Sequence, residues 1–294
     1  MTCAPDSPAG PSDAASPYGP AAPAPGARPA RPVRVHHLTR AKERGERLTM
    51  LTAYDAVTAR ILDEAGTDML LVGDSIGNVM LGHDTTLPVE LDEMVVATRS
   101  VARATTRALV VADLPFGTYE AGLEQALASA VRLMKAGANA VKLEGGRPRA
   151  RTVRALGEAG IPVVGHLGFT PQSVNRLGGF RVQGRGEEAA EALVADAVAL
   201  AEAGAVAIVL EMVPEPVAAR ITELLAIPTI GIGAGARCDG QVLVWTDMAG
   251  MTDWAPRFAR RFGRVGLALR QAAQAYGDAV REGSFPTSEH SFDS

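Results

Sequence analysis

The chain has 294 residues, of which 47% are hydrophobic and 21% charged, a composition typical of globular proteins with a sizeable core. Its 29 basic and 33 acidic residues give a net charge of −4, which argues against a dedicated nucleic-acid binder. No apolar run reaches the length of about 18 residues that a membrane span needs. The two cysteines, Cys3 and Cys238, cannot make a disulfide framework. We therefore expect a cytoplasmic protein whose partners are small molecules and copies of itself.

Residues 1–32 differ in composition from the rest of the chain. They hold nine of the 19 prolines and contain no Leu, Ile, Val or Phe. Such a segment buries too little apolar surface to offset the entropy lost on ordering, so we predict a disordered tail. It also lacks the apolar stretch of a secretory signal. Residues 33–294 are then expected to form a single domain, since no linker-like stretch interrupts them.

From Leu48 onward, short apolar runs alternate with stretches of helical period. The predicted strands are Thr49–Tyr54, Met69–Gly73, Ala108–Ala112, Ala140–Leu143, Pro162–Gly165, Ala207–Leu210, Pro228–Ile232 and Gln241–Trp245. The predicted helices between them are Ala56–Glu64, Leu91–Thr105, Leu123–Lys135, Ala150–Glu158, Glu187–Glu202 and Pro216–Leu225. Strands that are apolar on both faces and followed by helices are typical of a covered parallel sheet. Eight such units predict an α/β fold of the (β/α)8 TIM-barrel type rather than an open doubly wound sheet.

Two further features of the pattern concern the end of the chain. The connection after the seventh strand is short, which predicts a turn in place of a helix. Ala255–Gly283 has a helical pattern and follows the eighth strand. We expect it to form a C-terminal helical extension that packs against the barrel or makes a subunit contact.

Acidic residues follow three consecutive predicted strands, where the active sites of such barrels lie. They are Asp74, Asp113 and Glu144, after strands two, three and four. Adjacent strands are about 4.8 Å apart, so the three carboxylates would repel one another unless a cation lay between them. Oxygen ligands without a Cys/His cluster favour Mg²⁺ over Zn²⁺. The alternative is that Asp74 or Asp113 merely caps the segment that follows it.

Three more ionisable residues stand at the ends of strands four, five and six. Lys142 shares a strand face with Glu144, so it either binds an anionic substrate group or is a paired core lysine. Glu211 lies across the barrel from the predicted metal site, which favours a general base. His166 either binds substrate, orients a neighbour or is a structural histidine. The connection Gly168–Gly186 has 19 residues with five glycines and is predicted to be a lid or binding loop.

Eight segments, spread in order over about residues 33–292, together resemble the ketopantoate hydroxymethyltransferase family. They are Met50-Leu-Thr-Ala-Tyr-Asp55, Leu71-Val-Gly-Asp-Ser75, Gly82-His-Asp-Thr-Thr-Leu-Pro88, Ala112-Asp-Leu-Pro-Phe116, Ala136-Gly-Ala-Asn-Ala-Val-Lys-Leu-Glu-Gly-Gly146, Gly165-His-Leu-Gly-Phe-Thr-Pro-Gln-Ser173, Val182-Gln-Gly-Arg-Gly186 and Ile230-Gly-Ile-Gly-Ala-Gly235. The resemblance implies a (β/α)8 barrel assembled as a homodecamer. It also implies roles for six residues: Asp74, Asp113 and Glu144 as Mg²⁺ ligands, Asp74, Ser75, Asp113 and Lys142 as contacts of the 2-oxo acid, and Glu211 as proton acceptor.

The reaction implied by the resemblance is the first step of pantothenate biosynthesis. A hydroxymethyl group passes from 5,10-methylenetetrahydrofolate to 3-methyl-2-oxobutanoate, giving 2-dehydropantoate and tetrahydrofolate. Mg²⁺ would stabilise the enolate that forms when Glu211 removes the C3 proton. The chain departs from the family at Trp245-Thr246-Asp247, where members commonly carry His-Asp.

Two other readings of the same residues compete with this one. The first is a Mg²⁺-dependent 2-oxo acid lyase or phosphonopyruvate-type mutase, which shares the carboxylates but usually needs a catalytic cysteine or a phosphonate-binding set. The only cysteine in the predicted barrel is Cys238. The second is a barrel that has no catalytic activity and serves as a binding or scaffold subunit. Retention of all four carboxylates argues against it.

Overall fold

A computed structural model describes residues 31–292 except Phe180. Eight parallel strands form a closed barrel in which each strand pairs with the next and β8 pairs with β1. The strands are β1 (Leu48–Thr52), β2 (Met69–Val72), β3 (Leu109–Asp113), β4 (Ala140–Glu144), β5 (Val163–Gly168), β6 (Ala207–Glu211), β7 (Thr229–Ile232) and β8 (Gly240–Leu243). The predicted (β/α)8 barrel is confirmed. The predicted tail, residues 1–32, lies outside the described residues except for its last two.

Helices follow most of the strands and surround the barrel. They are α1 (Val35–Glu43), α2 (Ala56–Glu64), α3 (Ile76–Val79), α4 (Leu91–Ala104), α5 (Leu123–Ala136), α6 (Ala150–Glu158), α7 (Val174–Leu177), α8 (Glu187–Glu202), α9 (Glu215–Leu224), α10 (Trp245–Ala249) and α11 (Val265–Glu282). Three of them, α2, α6 and α8, have the predicted bounds. The connection from β7 to β8 contains no helix, as its length predicts. Within the described part of the chain, no helix combines the length and apolarity that crossing a bilayer requires.

The strands are apolar on both faces because each face packs against its own layer. Inside the barrel, the packed side chains include those of Met50, Met69, Leu109, Val164 and Val209. Between the strands and the helices lies a second layer, which includes Leu70, Val110, Val141, Leu167 and Ile208. Burial on both faces is what makes the strands continuous apolar runs in the sequence.

The helix α1 covers the amino-terminal end of the barrel and was not predicted. Its Leu38 and Ala41 are buried against the residues inside the barrel. The other residues of α1 are polar or partly exposed, so two buried positions in nine residues leave only a weak helical pattern. The end of the barrel opposite α1 is where the strands finish.

The C-terminal extension is shorter than predicted. Residues 250–264 are irregular, and the helix α11 begins only at Val265. Pro256 and Gly263 in this stretch account for the difference, because proline lacks the helical hydrogen-bond donor and glycine weakens a helix. None of the residues of α11 is buried in the single chain. Packing against the barrel therefore does not account for its apolar residues, and the subunit contact is the expectation that remains.

Candidate active site

The predicted site residues meet at the carboxyl ends of β2 to β6. Asp113, Glu144 and Glu211 are the last residues of β3, β4 and β6, and Asp74 lies two residues beyond β2. The parallel register brings Asp113 beside Lys142 and Glu144 beside His166, which places the side chains of β3, β4 and β5 next to one another. All of these residues are buried except Glu211, whose side chain retains 18% of its accessible surface.

Lys142 and Asp113 form a buried ion pair with 2.9 Å between Nζ and Oδ1. Burial lowers the pKa of Lys142, but Asp113, Glu144 and Asp74 together outweigh that effect and raise it above its ordinary value. The ammonium group is therefore charged at neutral pH. Burial raises the pKa of Asp113 to about 6, although Lys142 acts in the opposite direction. The second oxygen of Asp113 accepts a hydrogen bond from the main-chain N–H of Asp74 at 3.1 Å.

The ionised form of the Asp74 carboxyl group is also destabilised. Burial, followed by repulsion from Glu144, raises its pKa to about 6, while Lys142 lowers it. One of its oxygens, Oδ2, accepts a hydrogen bond of 2.8 Å from Nε2 of Gln172. Removing either buried negative charge, or binding a cation beside it, would relieve this cost.

His166 joins the predicted metal side of the site to the predicted base. Its Nδ1 lies 3.2 Å from Oε1 of Glu144, and its Nε2 lies 3.2 Å from Oε2 of Glu211. Burial and the charge of Lys142 lower the pKa of His166, but contacts with the two glutamates outweigh both and raise it to about 9. The ring is thus charged at neutral pH in the metal-free protein, with each nitrogen facing a carboxylate.

Two residues of the site were missed by the sequence reasoning, namely Gln172 and Tyr119. The Tyr119 hydroxyl donates to Oε1 of Gln172 at 2.5 Å, and the main-chain N–H of Gln172 donates to Oε2 of Glu144 at 3.0 Å. Gln172 is part of the segment 165–173 that carries the family resemblance, but its amide has no titration or metal-ligand signal. Only the path of the loop after β5 brings it to the site.

Ser75 lies at the edge of this group and is half-buried. Its hydroxyl is 2.8 Å from the hydroxyl of the buried Tyr54, which lies just after β1. Burial raises the pKa of Tyr54, so the phenol stays protonated. The serine oxygen is thereby held beside Asp74, directly before α3.

The main chain around Glu211 is fixed by the loop that follows β5. The N–H of Phe169 donates to the carbonyl oxygen of Glu211 at 2.8 Å, and the N–H of Gln183 donates to the carbonyl of Met212 at 3.0 Å. Met212 has a positive φ of 49°, which is uncommon for a residue with a side chain. Both ends of the predicted loop 168–186 therefore contact the residues that position Glu211.

The charge of the site suits a divalent cation. The four carboxylates carry two more charges than Lys142 and His166 balance, and Oδ1 of Asp113 is buried with no directed hydrogen bond despite its ion pair. Among the described residues, no three His, Cys, Asp or Glu side chains converge as a ready-made metal cage. Mg²⁺ typically uses one or two protein carboxylates and completes its shell with water and substrate oxygens, so the donor set fits it. The ligand assignment stays a prediction.

Cys238 lies at the opposite end of the barrel from these carboxylates. It is buried two residues before β8 begins, close to Thr229 at the start of β7. A catalytic role at the carboxyl ends of the strands is therefore out of its reach. This removes the cysteine on which a mutase-type or lyase-type alternative would depend.

Comparison with known proteins identifies the family. Residues 32–288 match the sequence profile of the ketopantoate hydroxymethyltransferase family. The chain belongs to this family. It is 60% identical over 259 residues to the 3-methyl-2-oxobutanoate hydroxymethyltransferase of Rhodococcus jostii, covering 87% of this chain and 89% of that protein. It is 61% identical to the protein of the same name from Saccharopolyspora erythraea, covering 87% and 88% of the two chains.

Solved structures of more distant proteins share the barrel of this hydroxymethyltransferase family member. A phosphonopyruvate hydrolase in complex with oxalate and Mg²⁺ superposes with a TM-score of 0.56 at 13% identity, covering 89% of this chain and 92% of that chain. At this identity the likeness shows the fold alone. The family assignment confirms the predicted family and the prediction that the chain is an enzyme, a transferase, rather than a barrel without catalytic activity.

Proposed function

We propose that this enzyme transfers a hydroxymethyl group from 5,10-methylenetetrahydrofolate to 3-methyl-2-oxobutanoate, giving 2-dehydropantoate and tetrahydrofolate. One water molecule is consumed, because the methylene carbon leaves folate as a hydroxymethyl group. Membership in the family supports the substrate class. The observation that carries the proposal is a buried group of three carboxylates and a lysine that faces a fourth, more exposed carboxylate across a histidine.

The roles of the acidic residues follow from their surroundings. Burial first, and then repulsion between neighbouring carboxylates, raises the pKa values of Asp74 and Asp113, and with Glu144 these residues would hold Mg²⁺. When bound, Mg²⁺ supplies Lewis-acid polarisation of the substrate 2-oxo group. Glu211 is set apart from the other three and is open to solvent, which suits a base that takes a proton from the C3 carbon of the oxo acid.

The remaining residues would bind and orient the oxo acid. Lys142 keeps its charge and attracts the carboxylate of the oxo acid. The hydroxyl of Ser75 and the carboxyl groups of Asp74 and Asp113 contact the polar end of the same substrate. Nε2 of His166 lies 3.2 Å from Oε2 of Glu211 without a directed hydrogen bond, so the charge of the ring stabilises the ionised base, and the ring would lie beside the bound substrate. After Glu211 has taken the proton, C3 forms a bond to the methylene carbon of folate. Both carbon–nitrogen bonds of that carbon break, water supplies its hydroxyl group, and the two folate nitrogens receive the proton taken from C3 and the remaining proton of water.

An activity assay tests the proposed reaction directly. We expect formation of 2-dehydropantoate that requires both substrates, disappears with excess EDTA and returns when Mg²⁺ is added. Substituting phosphonopyruvate for the oxo acid should give no product. Activity that is unchanged by EDTA would contradict the metal assignment, and absence of 2-dehydropantoate in the presence of Mg²⁺ would contradict the reaction.

Hydrogen exchange at C3 tests the base separately. In D₂O without folate, the wild-type enzyme should exchange the C3 proton of 3-methyl-2-oxobutanoate, as measured by NMR. Glu211→Gln should slow this exchange by at least about 100-fold, the contribution typical of a general base. Glu223→Gln is a matched control, since Glu223 is an exposed residue of α9. Wild-type exchange in Glu211→Gln would show that another group takes the proton.

We also propose that the enzyme is a cytoplasmic homodecamer in which α11 contacts another copy of the chain. Val265, Leu269, Tyr276 and Val280 are exposed apolar residues of α11, and their spacing of four, seven and four residues puts them in one stripe. Light scattering should give ten times the chain mass for the wild type. Leu269→Asp should produce a smaller assembly, and an unchanged mass would exclude α11 from the interface.

A further inference from the structure

We propose that Gln172, oriented by Tyr119, is a positioning residue that holds Asp74 and Glu144 in the arrangement that binds the cation. This inference rests on the proposed function, since it concerns the predicted metal ligands. Gln172 is buried at the start of the loop after β5, outside the strands that carry those ligands. It nevertheless contacts Asp74 and Glu144 directly.

The side-chain amide of Gln172 links two strand ends. Its Nε2 donates to Oδ2 of Asp74 at 2.8 Å and to the main-chain carbonyl of Leu114, just after β3, at 3.0 Å. Both partners are pure acceptors, so the amide nitrogen must face them. Were the amide turned by 180°, its oxygen would face two acceptors inside the protein, which leaves all of them without a donor.

Tyr119 fixes the amide in that orientation. The main-chain N–H of Glu144 donates to the Tyr119 hydroxyl oxygen at 3.3 Å, so this oxygen already serves as an acceptor. The hydroxyl proton is then free to point at Oε1 of Gln172, 2.5 Å away. Burial raises the pKa of Tyr119, so the hydroxyl keeps this proton. Arg149 lies 5.1 Å from the centre of the Tyr119 ring and covers one face of it.

The main chain of Gln172 completes the connection. Its N–H donates to Oε2 of Glu144 at 3.0 Å, so one residue contacts both carboxylates through different groups. Gln172 thus holds Oδ2 of Asp74 through its side chain and Oε2 of Glu144 through its main chain. Oδ1 of Asp74 is left for the cation, and Oε1 of Glu144 faces His166.

A neutral amide suits this position better than a charged residue. It donates to a carboxylate without cancelling the two negative charges that a divalent cation would balance. The two hydrogen bonds also oppose rotation of these carboxylates toward Lys142 when the metal is absent. Outer contacts of this kind typically change metal affinity by about 10-fold to 100-fold when they are removed.

The test measures metal binding apart from catalysis. Gln172→Met keeps the side-chain length and removes the amide, and Tyr119→Phe removes only the hydroxyl. Binding of Mn²⁺ alone to the metal-free enzyme is followed by electron paramagnetic resonance. Gln271→Met and Gln274→Met are matched controls on exposed positions of α11 outside its apolar stripe. Circular dichroism and thermal melts establish that each variant is folded.

We expect both site variants to raise the Kd for Mn²⁺ by about 10-fold or more, while the controls leave it unchanged. The Mg²⁺ concentration for half-maximal activity should rise by the same factor, with kcat at saturating Mg²⁺ recovering to within about threefold of wild type. The double variant should be little worse than either single one, because both act through one amide.

Wild-type Mn²⁺ affinity in folded Tyr119→Phe would overturn the inference even if Gln172→Met does not fold. A loss of kcat that excess Mg²⁺ does not restore would overturn it as well, since it would place the defect outside metal binding. If the wild-type enzyme itself binds no Mn²⁺, the proposed metal chemistry fails and this inference fails with it. If the wild-type enzyme binds Mn²⁺ and is active, and both variants behave like it, only the proposed role of Gln172 is overturned.

Discussion

The imidazole Nε2 of His166 lies 3.2 Å from Oε2 of Glu211, so a group charged at neutral pH adjoins the proposed base. A cation at this distance stabilises the ionised carboxylate that takes the substrate proton. The other ring nitrogen faces Glu144 at 3.2 Å, which links the base to the proposed metal ligands through one ring. Changes on either side of His166 should therefore alter its titration.

The titration of His166 in the metal-free protein gives the first prediction. Its ring should titrate near the value of about 9, and Glu211→Gln should lower that pKa by about one unit because a neighbouring negative charge is removed. NMR of the ring protons measures both, with His166→Gln identifying the signal. The same pKa in wild type and Glu211→Gln would mean that the two groups do not interact in solution.

The raised pKa of His166 also has a consequence for stability. Because the folded pKa of about 9 exceeds the ordinary histidine pKa of 6.5, the ring contributes stability that is complete below pH 6.5 and is lost as pH rises through about 9. Metal-free His166→Gln should show a flatter decline of the unfolding free energy over this range in urea titrations. An equal decline of the unfolding free energy in the variant and in the wild type would mean that another group causes it.

Mg²⁺ should stabilise the enzyme more at high pH than at low pH. Burial first of all raises the pKa values of Asp74 and Asp113 to about 6, above the ordinary aspartate pKa of 3.8. In the metal-free protein their contribution to stability is complete below pH 3.8 and is lost as pH rises through about 6. Bound Mg²⁺ restores this contribution to stability only at pH values at which the carboxylates are ionised.

Thermal melts with and without Mg²⁺ at pH 5 and pH 8 check this prediction. We expect a larger rise in Tm at pH 8, following the dependence of stability on ligand concentration and affinity. Asp74→Asn should raise the Tm of the metal-free protein at pH 8 and reduce the effect of Mg²⁺. An equal Mg²⁺ effect at both pH values, in wild type and variant, would show that these carboxylates do not bind the ion.

Most of the proposed site follows from the sequence because it lies at strand ends. Asp113, Glu144 and Glu211 each close an apolar run, and a closed parallel barrel brings the ends of all its strands to one rim. Gln172 and Tyr119 belong to loops, whose paths depend on contacts between distant parts of the chain. No periodicity encodes those contacts, so neither residue was found by pattern.

The same distinction holds for the fold. The helices α2, α6 and α8 were predicted to the residue, and each ends before an Ala-Gly pair whose glycine has a positive φ. The helix α1 was missed because it buries only Leu38 and Ala41. The helical pattern of residues 255–264 was misleading, since composition there is compatible with a helix while Pro256 and Gly263 interrupt it.

Asp63 should contribute to stability without contributing to catalysis. It lies in α2, is buried, and accepts hydrogen bonds from the main-chain N–H groups of Thr106, Arg107 and Ala108 just before β3. Burial raises its pKa, but these hydrogen bonds outweigh that effect and lower it below 3.8. Its contribution is therefore present above pH 3.8 and is lost as pH falls through the lowered folded value.

Asp63→Asn should lower the unfolding free energy by about 3 kcal/mol at pH 7, because an amide nitrogen then faces backbone donors. Urea titration measures the loss, which should shrink below about pH 4, where the wild-type carboxyl group also becomes protonated. Glu64→Gln, at the exposed neighbouring position, should cost less than about 0.5 kcal/mol. Equal stability of Asp63→Asn and Glu64→Gln would contradict the assignment.

Gly168 should be required for the position of Glu211. It is the last residue of β5 and has a φ of +93°, and an added Cβ would lie 2.2 Å from the carbonyl oxygen of Glu211 and 2.6 Å from Cγ2 of Val213. Gly168→Ala must therefore displace the end of β6, with a loss of at least about 2 kcal/mol in unfolding free energy. Gly204→Ala separates this clash from backbone strain, because Gly204 has a φ of +98° but no atom within 4 Å of an added Cβ.

We expect Gly204→Ala to cost about 1 kcal/mol and to leave kcat unchanged. Gly168→Ala should lower both the rate of C3 exchange and kcat, because the base moves relative to the substrate. Urea titration and C3 exchange together decide the prediction, and a fully active Gly168→Ala would show that the end of β6 adapts without moving Glu211.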